Sequence, residues 1–75
     1  MNKENLYDEI LLTIPQAAIL MHTDINKVRS LVKKGYIRGL KLKGLKIRRA
    51  EIDRFLKDAE GKDFSDLENI KELVL

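Results

Sequence analysis

Apolar positions along this chain change their spacing from one stretch to the next, and each change marks an element. Thr13, Ile14, Pro15 and Gln16 read as a capping box. The threonine hydroxyl is placed to accept from the Gln16 amide while the Gln16 side chain reaches back, and proline is tolerated in a first turn, where its missing N–H has no helical partner to lose. A helix is predicted over residues 14–21, with small Ala17 and Ala18 allowing close approach of a neighbour. After a break at His22 and Thr23, Asp24 is a good N-cap for a second helix whose Val28, Leu31 and Val32 follow i, i+3, i+4 spacing. Lys33 and Lys34 suit its last turn, and Gly35 supplies the left-handed residue that ends many helices. Two helices so closely joined must cross steeply, which predicts a helix-turn-helix.

Between residues 38 and 48 the period falls to two: Leu40 and Leu42 alternate with Lys41 and Lys43, then Leu45 and Ile47 with Lys46 and Arg48. Lys43 and Gly44 as a two-residue turn set Leu42 opposite Leu45 and Leu40 opposite Ile47 on the core side. Lys41 then faces Lys46 on the outer side. Like charges so placed are destabilising; an anionic ligand would explain the pair, as would lysines that guard an exposed strand edge against aggregation. A third helix over 50–59 presents Ile52, Phe55, Leu56 and Ala59 on one face and stops at Gly61. Ser65 and Glu68 look like a second capping box, which predicts an amphipathic C-terminal helix with Phe64, Leu67, Ile70 and Val74 along one side. A helical lead-in over 2–11 is the weakest-patterned element. The fold class expected is mainly α with a small β-hairpin.

Charge changes this picture more than composition does. Residues 25–50 hold ten lysines and arginines and no acid, whereas the flanking stretches are net −3 and −4 and the whole chain is +3. A solvated face normally mixes signs, so this block points to an anionic partner, nucleic acid first, against the plainer reading of a basic solubilising surface. At 75 residues the chain cannot support two cores or a large cofactor-binding fold. It has no cysteine and one histidine, which removes disulfides, thiolate metal sites and paired imidazoles. No cofactor is expected, and no nucleophile, base or metal constellation suggests an enzyme. His22 is read as a conformational choice in the turn. The apolar stretch 10–21 is interrupted and well short of the roughly 20 residues of a membrane span. With no signal-like start either, the expectation is a cytoplasmic protein without membrane contact.

The order helix, turn, helix, basic hairpin, helix over 12–56 resembles the winged helix-turn-helix of the MerR-like group, most closely its small excisionase-type members encoded by phages and integrative elements. Leu12, Thr13, Ile14, Pro15, Gln16, Ala17 and Ala18 look like the family's opening strand, cap and small-residue helix. The run from Val28 through Lys33, Lys34 and Gly35 to Ile37 resembles its recognition helix and exit. The hairpin and Arg49 to Leu56 resemble its wing and closing helix. The family usually has glycine in the turn where this chain has His22, and histidine is among the side chains that best tolerate positive φ. The resemblance implies a DNA-binding domain over 1–61; residues 62–75 lie outside it and are read from their own capping box and apolar stripe as a helical tail.

In a helix-turn-helix the second helix enters the major groove with its unburied face. The candidates there are Ile25, Asn26, Lys27, Arg29, Ser30 and Lys33. Asn26 suits an adenine edge, Arg29 a guanine edge, Ser30 a base or phosphate, and Ile25 a thymine methyl. Lys27, Lys33 and Lys34 suit phosphates, with Arg38 beyond them. Lys41, Lys43 and Lys46 would follow the backbone or the adjacent minor groove. RNA is disfavoured because Tyr7, Tyr36, Phe55 and Phe64 are too scattered to stack bases. Three functions stay open: an excisionase-like accessory factor of recombination, a small phage or prokaryotic transcriptional regulator, and a protein-interaction module of antirepressor type. Beyond double-stranded DNA, the partners considered are a recombinase or a second copy of the chain, docked through 62–75.

Overall fold

The computed structural model describes residues 9–75 of the chain. Strand gives way to helix at Thr13, between β1 (Leu11–Thr13) and α1 (Ile14–Leu20). Thr13 is extended, its hydroxyl accepts from the Gln16 amide at 3.2 Å, and its own amide donates to Gln16 Oε1 at 2.9 Å. The expected capping box is therefore formed, and α1 buries Ile14, Ala17 and Ala18. Helix α2 (Ile25–Lys33) begins at Asp24, which accepts from the Lys27 amide at 2.7 Å. Between the helices His22 adopts φ 58°, the left-handed conformation needed to reverse the chain, and the Thr23 amide donates to Ala18 O at 2.9 Å. Past α2, Gly35 takes φ 88° and the Tyr36 and Ile37 amides both donate to Leu31 O. This glycine-closed end turns the chain back toward the core.

β2 (Leu40–Lys41) and β3 (Leu45–Arg48) join β1 in an antiparallel sheet of order β1-β3-β2, and α3 (Arg49–Ala59) follows β3 without a loop. Leu12 lies opposite Ile47. Those two residues, with Val28, Ile37 and Ile52, are the largest fully buried side chains, and α1, α2, α3 and the sheet all converge on them. Each such aliphatic contributes about 1.5–3 kcal/mol relative to exposure. Among the described residues no polar or charged residue is buried. Among the described residues the architecture is thus three helices with a small antiparallel sheet.

The hairpin register differs by one residue from the expected one. Leu40 pairs with Lys46 and Lys41 with Leu45, so Lys41 and Lys46 do not face each other. A two-residue primed turn needs φ > 0 at its first central position, which here would be Lys43, and in type I′ at the second as well. Lys43 does not adopt it; Gly44 does, at φ 84°, closing a three-residue loop in which the Leu42 amide donates to Gly44 O at 3.2 Å. A slip of one residue exchanges faces. Leu42, expected in the core, is 73% exposed, and Leu40 lies on the sheet face opposite Ile47. Leu56, also expected inside, is exposed on α3.

The expected C-terminal helix is absent. Residues 62–75 form a second small hairpin, β4 (Lys62–Asp63) with β5 (Lys71–Glu72), around a turn-rich loop. The Ser65 amide and hydroxyl both donate to Asp63 Oδ1, at 2.8 and 2.6 Å, and the Glu68 amide donates to Asp66 Oδ1 at 3.0 Å. The cap residues therefore bond locally in a non-helical way, a competition in which an isolated helix this short has little to offer. Phe64 and Leu67 pack on the core from the loop, while Val74 is exposed. The lead-in over 2–11 falls mostly outside the described residues. Its last residue, Leu11, is paired with Arg48 in the sheet.

Candidate nucleic-acid interface

The amphipathic pattern of α2 determines which side chains it offers. With Val28 and Leu31 buried, Asn26, Arg29 and Lys33 are exposed on the outward side, Ile25 is partly exposed, and Ser30 is half-buried. Lys27 and Lys34 point to a flank that 62–75 already occupies. Lys27 Nζ donates to Phe64 O at 2.8 Å and more weakly to Ser65 O at 3.4 Å, while Lys34 forms an ion pair with Glu68. Asn26, Lys27, Ser30, Lys34 and Leu67 line a shallow concavity between helix and loop. Two of the four lysines and arginines expected to serve DNA from this helix and its end thus bond the C-terminal loop. Their partners lie more than thirty residues away in sequence, so no local pattern announces them.

The loop is anchored by aromatic packing as well. Phe64 meets Tyr36 edge to face at 5.4 Å and Phe55 at 5.2 Å, and Tyr36 Oη donates to Leu67 O at 3.3 Å. The three rings are distant in sequence and converge on one side of the core.

Arg38, Lys41 and Lys43 are exposed, from the connection after α2 to the hairpin tip. Lys46 is half-buried, and its ammonium donates to the Lys43 carbonyl, folding over the tip. Among the described residues Arg29, Lys33, Arg38, Lys41 and Lys43 form no ion pair. A cluster that the sequence reading missed holds the connection in place. Arg54 donates to Glu51 at 3.1 and 2.5 Å, to Asp58 at 3.0 Å and to Tyr36 O at 2.9 Å, and Glu51 Oε2 accepts from the Arg38 amide at 2.9 Å. The Arg54 guanidinium and the Arg38 amide hold Glu51 below the ordinary carboxylate range, against partial burial that pushes the other way; Arg54 is raised in turn, chiefly by Glu51. The i, i+3 and i, i+4 spacing of Glu51, Arg54 and Asp58 was a visible signal. Gly39 brings the hairpin root against α2: a Cβ there would stand 3.0 Å from Leu45 Cδ1 and 3.3 Å from Val32 Cγ1.

No family model, curated protein or solved structure matches this chain. Its own chemistry therefore carries the functional reading. Among the described residues no group of three or more histidines, cysteines or carboxylates is placed to hold a metal, and no helix is long and apolar enough to cross a membrane.

Proposed function

We propose that the protein binds double-stranded DNA as a winged helix-turn-helix of excisionase type, with α2 as the recognition helix and the β2–β3 hairpin as the wing. The observation that carries this reading is the set of exposed cations Arg29, Lys33, Arg38, Lys41 and Lys43, none of which forms an ion pair with a described acid, Arg38 alone feeling a nearby carboxylate, Glu51. They follow one another along the chain from α2 to the hairpin tip with no acid between them, and α2 also carries Asn26 and Ser30, side chains that suit base edges. Lys27 and Lys34 are assigned to holding the C-terminal loop, not to phosphates. Within this reading an accessory role in site-specific recombination and a role in transcriptional regulation use the same surface.

Counterion release supplies the test. Five or six phosphate contacts from the exposed cations and Lys46 give a slope of log K against log salt of roughly −4 to −6. Fluorescence anisotropy with duplexes enriched from a random pool, at several salt concentrations, measures it. A flat salt response, or no duplex bound at low salt, overturns the DNA reading and favours an acidic protein partner.

A further inference from the structure

The tip of the β2–β3 hairpin combines two chemistries that rarely share a turn. Hairpin loops ordinarily present polar residues or glycine, yet Leu42 stands here with 73% of its surface in water. Lys41 and Lys43 flank it, and the Lys46 ammonium folds over the loop, 3.7 Å from where a Gly44 Cβ would lie. The leucine is held outward by the backbone, because the Gly44-closed loop sets a register in which Leu42 has no cross-strand partner. An apolar side chain with a lysine on either side of it in the chain and a third folded over the tip is complementary to a surface that is anionic at its rim and apolar within. A duplex has that profile: two phosphate rails with stacked bases between them.

We infer that Leu42 is an apolar wedge that enters the minor groove from the hairpin tip and partly unstacks one base step, bending the duplex, while Lys41 and Lys43 neutralise the phosphates on either side. The inference rests on the DNA-binding reading and adds to it a deformation and the residue that causes it. Apolar side chains inserted between base steps kink DNA by tens of degrees, and flexible pyrimidine–purine steps yield at least cost. The wedge therefore selects its position by deformability, without a hydrogen bond to any base.

The test uses the full chain and duplexes enriched by it from a random pool, with 2-aminopurine placed in turn at each adenine to report unstacking and end-labelled dyes to report the bend. The wild-type protein is expected to bend the duplex and to brighten 2-aminopurine at one step. Leu42→Ala should lose both signals and weaken binding by about three- to tenfold, whereas Leu42→Met, which keeps an apolar wedge, should retain them. Leu42 is exposed, so both variants should melt as the wild type does. Binding by Leu42→Ala with the bend and the fluorescence unchanged would overturn the wedge and leave the DNA reading standing. If the wild-type protein enriches no duplex, the DNA reading fails and the wedge with it.

Discussion

His22 shows how one residue can sustain a sharp turn without glycine. Its φ of 58° lies where a β-carbon is ordinarily unwelcome, at a cost of about 1–2 kcal/mol for most side chains. Histidine bears that conformation better than a β-branched residue. Glycine would remove the strain but add freedom to the unfolded chain, and these effects oppose each other. His22→Gly is therefore expected to change unfolding free energy by less than about 1 kcal/mol, and His22→Val to lower it by more than about 1 kcal/mol. Urea denaturation of the three proteins checks this. Equal stability of the valine variant would mean that the turn relaxes out of the left-handed region.

At the scale of elements, α1 and α2 were legible because their start signals act within four residues, whereas α3, whose Arg48 N-cap makes no side-chain bond, was legible from its apolar spacing and the glycine beyond it. Thr13 and Gln16 bond each other, Asp24 bonds the Lys27 amide, and Gly35 and Gly61 both adopt positive φ beyond a helix end. Other features depended on contacts that no window contains. The hairpin register turned on whether Lys43 or Gly44 alone would take positive φ, and β4 and β5, at two residues each, are too short to show a period. The same limit applied to the candidate site: its positive charge was plain in the sequence, but the engagement of Lys27 and Lys34 was not, since their partners come from 62–75. That segment contributes Phe64 and Leu67 to the packing around the core. Truncation after Gly61 is accordingly expected to cost about 2–4 kcal/mol through the loss of these contacts, with Phe64→Ala alone reproducing a large part. Equilibrium unfolding measures both. An unchanged midpoint would show that the loop rests on the core without supporting it.

For the whole molecule, the absence of buried polar or charged residues from the described core makes acid sensitivity a matter of partly covered and surface carboxylates. Glu51 is held below its ordinary range mainly by Arg54, and Asp63 mainly by the Ser65 hydroxyl and then the Ser65 amide. A carboxylate lowered in the folded state binds protons more readily when unfolded, so it adds stability above its unfolded pKa that is lost as pH falls through the folded value. Stability should therefore decline on acidification below the ordinary carboxylate range. Glu51→Gln should be less stable than the wild type near neutrality, and the gap should close as the pH falls. Urea midpoints of both proteins across that range give the comparison; a gap that stays constant with pH would show that Glu51 acts through shape and not through charge.

The pairing of β1 with β3 has a consequence for how the molecule assembles. Thr13 lies opposite Lys46, so that contact closes a loop containing all of α1 and α2. Closing a long loop costs chain entropy before its contacts repay it, whereas the turns of a helix need only near neighbours. The helix pair is thus expected to form early, shortening the distance that Leu12 must travel to reach Ile47. On that order of events β1 zips onto β3 late, on a molecule whose two helices and local β2–β3 hairpin already stand in place.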